Sequence, residues 1–268
     1  MARSVCIFAQ GAPTGRPYTL LSCILSSVPT PSFTTTCTQN KKLCHDVWEL
    51  KFAMPEGEKF IFKAGQFVLW DVPLCDHPED IQPRAYSIAS PPREENELTF
   101  VIRYKQDGRC SKWIDEVLKV GDQVRMQGPL GNFTLNTETD KDYIFVGTGT
   151  GIAPYMSHLK YALQDQKDTR PMHLFFGVRH EEDLFWVDEF KALDDQYENF
   201  TMHLSTSQPS DAWDGLKGRV TDIMPTVITD FSRVNAYICG NPAMVKDVKE
   251  WLMTNGVEKS DLHQEGYV

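Results

Sequence analysis

A glycine-rich turn between an apolar run and a helical segment constrains this chain more than any other feature. Residues 143–154 read YIFVGTGTGIAP. Glycines in such a turn let backbone N–H groups approach a pyrophosphate, and the N-terminus of the following helix favours the anion. The spacing is GxGxG rather than GxGxxG, because position 152 is Ile. The turn therefore predicts a nucleotide site in an α/β unit, with a ligand-free strand-to-helix turn as the alternative.

Hydrophobic periodicity divides the 268 residues into two kinds of structure. Up to about residue 127, short alternating segments bounded by Gly, Pro or Asp predict antiparallel strands. After about Asn136, apolar runs alternate with helical segments, which predicts parallel strands with helices on both faces. We therefore expect a β + α/β chain, an antiparallel β-barrel followed by a doubly wound parallel sheet. The predicted strands are 47–52, 66–72, 98–104, 123–127, 143–146, 172–178, 200–204 and 234–239, and the predicted helices are 111–118, 155–166, 183–193, 220–227 and 243–253.

A first short motif is Arg84-Ala85-Tyr86-Ser87. An arginine can pair with a phosphate in fork geometry, and a tyrosine two residues along the strand can stack on a planar ring. The serine hydroxyl can donate a hydrogen bond to a ring nitrogen. Taken alone, the motif is explained more simply by a strand with a surface arginine and a half-buried tyrosine.

Two further motifs join strands to helices. Gly108-Arg109-Cys110-Ser111 opens a helix with Ser111 as the predicted N-cap, and it indicates either a second phosphate site or a plain helix cap. Cys239-Gly240-Asn241-Pro242 lies at the carboxyl edge of the predicted parallel sheet, where ligands bind in such folds. Cys239 is either a small packing residue or a neighbour of a reactive ring. No adjacent His supports a Cys–His nucleophile.

The order of the motifs resembles the ferredoxin–NAD(P) reductase superfamily of flavoenzymes. RxYS at 84–87 precedes GxxS at 108–111, GPLGNF at 128–133, GTGTGIAP at 147–154, CGNP at 239–242 and Tyr267. The resemblance covers about Phe33 to Val268. It implies an FAD-binding β-barrel domain over residues 33–137 and an NAD(P)-binding α/β domain over residues 138–268.

The resemblance also implies a role for each motif residue. Arg84 would hold the FAD pyrophosphate, Tyr86 would stack on the isoalloxazine, and Ser87 would hydrogen-bond near flavin N5. The FAD phosphates would be bound by Gly108, Cys110 and Ser111. The pyrophosphate of the nicotinamide nucleotide would be cradled by Gly147, Thr148, Gly149, Thr150, Gly151 and Pro154. Cys239 would lie near the nicotinamide, in a pocket shaped by Gly240, Asn241 and Pro242. Glu265 and Tyr267 match the family's acidic and aromatic C-terminal cluster, although Tyr267 is penultimate, which leaves its stacking on the flavin open.

The reaction implied by the resemblance is hydride transfer from nicotinamide to flavin N5, followed by single electrons to an acceptor. The chain has seven cysteines but no CxxC pair and no iron–sulfur or zinc spacing, so we expect no metal. The expected acceptor is therefore separate, such as a ferredoxin, a flavodoxin or a hydroxylase component of an oxygenase. The alternative is an electron-transfer subunit of a larger redox complex. The intact turn and CGNP motif disfavour a flavin-binding module without nucleotide turnover.

The sequence favours NADH over NADPH as the cosubstrate. A 2′-phosphate requires a fixed Arg or Lys near the ribose. NADP-type members of the family carry a Ser-Arg pair after the third strand of the second domain, whereas residues 204–208 of this chain read LSTSQ. Arg179 remains a candidate for a 2′-phosphate contact.

The net charge and the cysteines indicate which partners and which cellular compartment to expect. A net charge of −10 disfavours a nucleic-acid surface. Scattered cysteines indicate a reducing compartment, so we expect a cytoplasmic protein. The uncharged segment 17–40 contains three prolines, which makes it a poor membrane helix, and we expect no membrane span. Residues 1–32 are expected to be a flexible extension, with a cleaved targeting segment as the alternative.

Overall fold

The computed structural model describes residues 30–93 and 97–267. Over these ranges the chain forms two six-stranded sheets, one antiparallel and one parallel. The expected β + α/β architecture is confirmed. Of the predicted extension over 1–32, positions 1–29 lie outside the described residues, and Ser32 begins the first strand.

The first sheet is antiparallel and forms an open barrel. Its strands are β1 (Ser32–Cys44), β2 (Val47–Ala53), β3 (Phe67–Leu74), β4 (His77–Ser87), β5 (Glu97–Arg103) and β6 (Gln123–Leu130). They pair in the order β4-β3-β6-β1-β2-β5. The two edges meet where the backbone N–H of Ala89 donates to the carbonyl of Thr99 at 2.8 Å. One helix, α1 (Arg109–Glu116), lies between β5 and β6 in the chain and packs against β3.

Alternating burial explains why the barrel segments are strands. Along β3, Val68, Trp70 and Val72 are fully buried while their neighbours are half-buried, as a two-residue period requires. The Trp70 ring makes edge contacts with Phe52 and Phe100, with centroids 4.8 and 4.9 Å apart. These aromatic side chains fill the barrel and fix which face of each strand points inward.

The second sheet is parallel and doubly wound. Its strands are β7 (Asp142–Thr148), β8 (Met172–Val178), β9 (Phe200–Thr206), β10 (Leu216–Lys217), β11 (Val234–Gly240) and β12 (Leu262–Gly266). Its helices are α2 (Ala153–Leu159), which continues as a π-helical turn over Lys160–Asp165, α3 (Val187–Gln196), α4 (Val220–Val227) and α5 (Pro242–Thr254). The order β10-β9-β8-β7-β11-β12 reverses at β7. Helices α2 and α3 cover one face and α4 and α5 the other.

Differences from the sequence prediction have local causes. The helix expected to begin at Asp183 begins at Val187, because residues 181–183 form a separate 3₁₀ turn and Trp186 adopts a left-handed backbone conformation (φ 55°). Apolar alternation does not predict β1 or the first part of β4, since polar residues dominate both and residues 77–83 are exposed. It also does not predict β12, which is five residues long and contains only one apolar side chain, Leu262.

The uncharged segment 17–40 does not form a membrane helix in its described part. Residues 32–40 lie in β1. No helix within residues 30–93 and 97–267 is long and apolar enough to cross a bilayer.

The two domains share an apolar cluster. Residues of the first domain in this cluster are Val47, Ala89, Val101 and Phe133. The same cluster contains Tyr155 and Leu159 of α2 and Phe190 of α3. This packing brings the C-terminal end of β4 to the carboxyl edge of the parallel sheet.

Candidate functional site

A hydrogen-bonded cluster joins the two domains at the carboxyl edge of the parallel sheet. Ser87 Oγ, at the end of β4, donates to Glu265 Oε1 at 2.8 Å. The Tyr267 hydroxyl donates to Ser87 Oγ, also at 2.8 Å. Cys239 is the register partner of Glu265 in the β11–β12 pair, and the backbone of Tyr267 donates to Gly240 O at 3.0 Å. Strand pairing therefore brings together four residues that lie far apart in sequence.

Burial sets the protonation of this cluster. It raises the pKa of the Glu265 carboxyl, and the hydrogen bond from Ser87 opposes that rise. Burial also raises the pKa of the Cys239 thiol and of the Tyr267 hydroxyl. Cys239 is therefore a neutral thiol at neutral pH and not a thiolate nucleophile. The cluster holds a carboxyl with increased proton affinity next to two hydroxyl groups.

The RxYS and GRCS motifs meet in the barrel. The Tyr86 ring packs on Trp70, with centroids 4.8 Å apart. The Cys110 thiol of α1 faces the Tyr86 hydroxyl, and burial raises the pKa of this thiol to about 12. Arg84 lies two residues before Tyr86. Among residues 30–93 and 97–267, its guanidinium donates only to Pro83 O and Gln82 Oε1, each at 2.9 Å. Donor groups of this guanidinium remain for a phosphate.

The N-terminus of α1 differs from its prediction. Ser111 is not the N-cap, because Gly108 occupies that position. Ser111 is the third residue of the helix, and its Oγ accepts a hydrogen bond from the Lys105 backbone at 2.8 Å. The helix begins without a side-chain cap and without an acidic residue in its first turn. Its first N–H groups are thus free of a side-chain acceptor, next to Tyr86 and Cys110, and such a helix N-terminus favours an anion.

Packing and backbone conformation explain the glycines of the 147–151 turn. Thr148 ends β7, and residues 149–152 form one 3₁₀ turn that leads into α2, with Pro154 in its first turn. Gly149 has φ +52°, and a Cβ on Gly151 would lie 2.3 Å from the carbonyl oxygen of Cys239. The turn again has no side-chain cap and no acid. Close packing accounts for Gly151 whether or not a ligand binds, but the turn lies where the strand order reverses, which is where α/β sheets bind ligands.

The CGNP motif lies beside this turn, at the end of the neighbouring strand β11. Gly240 has φ +137°, and a Cβ there would lie 2.7 Å from Thr148 Oγ1. Asn241 is the N-cap of α5, and its Oδ1 accepts from the Ala243 backbone at 2.9 Å. Pro242 occupies the first helical turn. The structure thus brings Thr148 of the turn together with Gly240.

Arg103 is a candidate that sequence reasoning misses. It ends β5 of the first domain, and its Nη1 lies 3.8 Å from the position that a Cβ on Gly149 would occupy. Its Nε donates to Asp46 Oδ2 at 2.6 Å. Nothing in the sequence singles out an arginine at the end of an alternating strand. Only the packing of β5 against the turn places it there.

The loops after β8 and β9 line an open cleft of about 670 Å³. Its lining residues are His180, Glu181, Glu182, Gln208, Pro209, Ser210, Ala212 and Trp213. Glu181 Oε1 accepts from the backbone and the hydroxyl of Ser210 at 2.7 and 2.9 Å. Arg179 is exposed beside this cleft, and its guanidinium has no hydrogen-bond or salt-bridge partner among the described residues.

Two family models match the chain in the order that the fold shows. An oxidoreductase FAD-binding domain matches residues 34–135, and an oxidoreductase NAD-binding domain matches residues 145–250. The chain belongs to the ferredoxin–NAD(P) reductase superfamily. The predicted FAD and nicotinamide nucleotide sites are thereby confirmed at the level of domains. The exact boundary at residue 137 and the individual residue roles stay predictions.

Individual relatives agree with the family. The chain is 29% identical over 244 residues to the reductase component of propane 2-monooxygenase from Rhodococcus jostii, covering 89% of this chain and 64% of the relative. It is 32% identical over 256 residues to one subunit of the Na⁺-translocating NADH-quinone reductase of Pasteurella multocida, covering 80% and 62%. The crystal structure of the Amycolatopsis cytochrome P450 reductase GcoB superposes with a TM-score of 0.81 at 26% identity, covering 89% of this chain and 70% of that one. The chain thus spans less than two thirds of the length of these two curated relatives.

Proposed function

We propose that the chain is an FAD-dependent NAD(P)H oxidoreductase that passes electrons from the nucleotide to a separate acceptor. The observation that carries this proposal is the cluster of Ser87, Glu265 and Tyr267 beside Cys239. It joins the end of the RxYS strand of the FAD-binding domain to the switch point of the NAD-binding domain. Bound FAD supplies the acceptance of a hydride and its release as single electrons.

The barrel residues hold FAD in this proposal. Arg84 pairs with the pyrophosphate, Gly108, Cys110 and Ser111 present the N-terminus of α1 to the phosphates, and Tyr86 stacks on the flavin. Support comes from the uncapped N-terminus of α1 and from the contact of Cys110 with Tyr86. Helix N-termini favour anions because their first N–H groups lack intrahelical partners.

The second domain holds the nicotinamide nucleotide. The turn formed by Gly147, Thr148, Gly149, Thr150, Gly151 and Pro154 cradles its pyrophosphate. Arg103 reaches the same turn from the first domain. Gly240, Asn241 and Pro242 shape the nicotinamide pocket, and the neutral thiol of Cys239 gives that pocket a small uncharged wall. Holding two reacting rings in contact lowers the entropic part of the barrier to hydride transfer.

Glu265 and its hydroxyl neighbours hold a proton beside the reacting centre. Burial raises the pKa of the carboxyl, so Glu265 holds its proton more tightly than an exposed glutamate and can pass it to a neighbouring group. Ser87 connects the carboxyl with Tyr267 through two hydrogen bonds of 2.8 Å. Ser87 would also hydrogen-bond near flavin N5. Tyr267 interacts with both Ser87 and Cys239, so a nicotinamide ring that reaches the flavin between them would displace it.

NADH is the favoured cosubstrate. Glu181 and Glu182 line the cleft after β8, and Arg179 and His180 are the only cationic or titratable basic groups of residues 179–183. A 2′-phosphate placed there meets carboxylates as well as one arginine, whereas a ribose hydroxyl can donate to a carboxylate. The acidic cleft therefore favours NADH over NADPH as the cosubstrate. Arg179 is the one nearby residue of 179–183 whose fixed positive charge would favour a 2′-phosphate.

The acceptor is a ferredoxin, a flavodoxin or an oxygenase component. This assignment is supported by a relative named as the reductase component of propane 2-monooxygenase. The second candidate, a subunit of a larger redox complex, is supported by the relative that belongs to a sodium-translocating NADH-quinone reductase. A cytoplasmic location is supported by the cysteines of the described ranges, which are all free thiols.

Purification of the full chain tests the proposed function. We expect a yellow protein with one FAD per chain, and anaerobic NADH should bleach its flavin absorbance. Reduction of a one-electron acceptor such as ferricyanide should follow. A colourless protein that takes up no FAD, or a yellow one that neither NADH nor NADPH bleaches, would contradict the proposal. Bleaching by NADPH alone would reverse the choice of nucleotide.

A further inference from the structure

The turn between β1 and β2 is a first-domain element that is attached to the second domain. We call residues 43–46 the hairpin turn. Leu43 and Cys44 pack against the apolar cluster that contains α2 and α3. His45 Nδ1 lies 3.3 Å from Glu182 O, and its Nε2 lies 3.6 Å from Asp183 Oδ1. The hairpin turn is therefore anchored to the loop that lines the cleft after β8.

Asp46 of this turn holds Arg103. The carboxylate accepts from Arg103 Nε at 2.6 Å, and the Asp46 carbonyl accepts from the backbone N–H of Tyr104 at 2.7 Å. The other carboxylate oxygen lies 3.6 Å from His45 Nε2 and 3.8 Å from the Cys44 thiol, which donates to it. The Asp46 side chain is only 20% exposed, whereas that of Arg103 is 56% exposed. A fixed carboxylate thus orients an arginine whose terminal N–H groups remain accessible.

The orientation matters because of where Arg103 points. Its Nη1 lies 3.8 Å from the Cβ position of Gly149, in the turn that would cradle the pyrophosphate. Asp46 uses the Nε of the guanidinium, so both terminal nitrogens remain for a phosphate. Without this ion pair, a long and mostly exposed side chain has to be ordered by the ligand itself.

The same three side chains have a second possible use. Ligand atoms of Cys44, His45 and Asp46 lie within 4.8 Å of one another, as in a metal site. The Arg103 guanidinium already neutralises Asp46, and burial raises the pKa of the Cys44 thiol, which keeps it protonated. The donor set therefore suits the orientation of an arginine better than the binding of a cation.

We propose that Asp46 is a positioning residue for nucleotide binding: it holds Arg103 beside the Gly149 turn, across the domain boundary. This inference rests on the proposed function. A positioning role and simple electrostatics predict opposite changes in nucleotide affinity when the charge of Asp46 is removed. Removal of a nearby negative charge by itself strengthens the binding of an anionic nucleotide. Removal of a residue that orients Arg103 weakens it.

Anaerobic stopped-flow reduction of the FAD-loaded full chain tests this inference. The dependence of flavin bleaching on NADH concentration gives the Kd of NADH and the limiting rate separately. We expect Asp46→Asn to raise the Kd about three- to tenfold and Arg103→Ala about ten- to thirtyfold, with limiting rates within about twofold of the wild type. In the double variant the Kd should equal that of Arg103→Ala, because Asp46 acts through Arg103. Asp46→Glu should restore most of the affinity.

The pair of Asp71 and Arg125 provides a matched control. It joins neighbouring strands of the same sheet, with Nη1 and Oδ2 3.3 Å apart. Asp71→Asn should leave the Kd unchanged. If the Asp46→Asn variant does not retain FAD, the Arg103→Lys variant serves as the test instead. Lysine keeps the positive charge but lacks the planar guanidinium that Asp46 orients, so this variant should also raise the Kd of NADH.

The outcomes are distinguishable. An Asp46→Asn variant with an unchanged or lower Kd, or effects of Asp46→Asn and Arg103→Ala that multiply, would overturn the positioning role. An unchanged Kd of NADH in the Arg103→Lys variant would also overturn the positioning role. A wild-type flavin that neither nucleotide bleaches would overturn the proposed function, and the inference with it.

Discussion

The two domains of this protein place their candidate residues by different means. In the parallel sheet, the turn after β7, the end of β11 and the cleft after β8 all lie at one edge, because parallel strands end together. In the antiparallel barrel, Arg84 and Tyr86 lie within a strand, and Cys110 reaches them from a helix. The topology of the parallel sheet thus brings its candidate residues together, whereas contacts of individual side chains do so in the barrel. Substitutions should therefore have different consequences in the two domains.

The largest expected effect is that of Gly151→Ala. A Cβ at this position would lie 2.3 Å from the Cys239 carbonyl oxygen, so the turn and β11 have to move apart. We expect a loss of about 2–4 kcal/mol in the free energy of unfolding. We also expect the rate of flavin reduction by NADH to fall about a hundredfold or more, because the displaced strand carries the residues proposed to shape the nicotinamide pocket. Chemical denaturation and stopped-flow reduction measure the two effects.

Gly121→Ala is the matched control for backbone strain. Gly121 has φ +99° but no atom within 4 Å of its Cβ position. The free energy of unfolding of this variant should fall by about 1 kcal/mol, and its rate of flavin reduction by NADH should equal that of the wild type. Equal losses of rate in both variants would contradict the account of the switch point.

The second effect concerns the barrel alone. Arg84→Ala should weaken FAD binding about thirty- to hundredfold, because it removes the predicted partner of the pyrophosphate. The free energy of unfolding of the FAD-free protein should change by less than about 0.5 kcal/mol, since the Arg84 guanidinium donates to two nearby residues of its own strand, Pro83 and Gln82. FAD titration followed by fluorescence measures the affinity. Arg125→Ala on the same sheet should leave the affinity unchanged, and equal losses in both variants would refute the role of Arg84.

The third effect tests the cluster between the domains. Glu265→Gln should slow flavin reduction and acceptor turnover about tenfold, because an amide does not exchange a proton.

The same substitution should make the folded protein more stable at high pH. Burial raises the pKa of Glu265, so the folded protein binds this proton more tightly, and ionisation destabilises the fold as the pH rises above the unfolded value of about 4.3. The Tm of Glu265→Gln should therefore exceed that of the wild type at pH 8, with a difference that shrinks towards pH 4. A difference that grows towards low pH would show that the pKa of Glu265 is lowered instead.

The smallest expected effect concerns the choice of nucleotide. Glu181→Gln removes one carboxylate from the cleft after β8 but keeps an acceptor for Ser210. We expect the ratio of kcat/KM with NADPH to kcat/KM with NADH to rise about threefold, because the substitution removes repulsion of a 2′-phosphate and one acceptor for a ribose hydroxyl. Steady-state kinetics with both nucleotides measure the ratio. Asp188→Asn, on the first turn of α3, is the control for net charge, and an equal rise in that variant would remove the specific role of Glu181.

The same contrast between the domains explains what the sequence could predict. The turn at 147–151 and the CGNP motif are local signals, and strand followed by turn and helix is readable without tertiary structure. The contact of Ser87 with Glu265 depends on the short strand β12 and on domain packing, and only the family resemblance pointed to it. Arg103 could not be predicted at all, since its only distinction is the surface against which β5 packs. Ser111 was misplaced as an N-cap because its hydroxyl is engaged with the Lys105 backbone.

The central claim is that the nicotinamide ring meets the flavin in one orientation between Ser87 and Cys239. NADH deuterated at C4 on one face or on the other, mixed anaerobically with the FAD-loaded chain, tests this claim most directly. The account predicts that deuterium on one face only slows the bleaching of the flavin and that this deuterium leaves the nucleotide. Bleaching that is equally sensitive to both labels, or to neither, would contradict it.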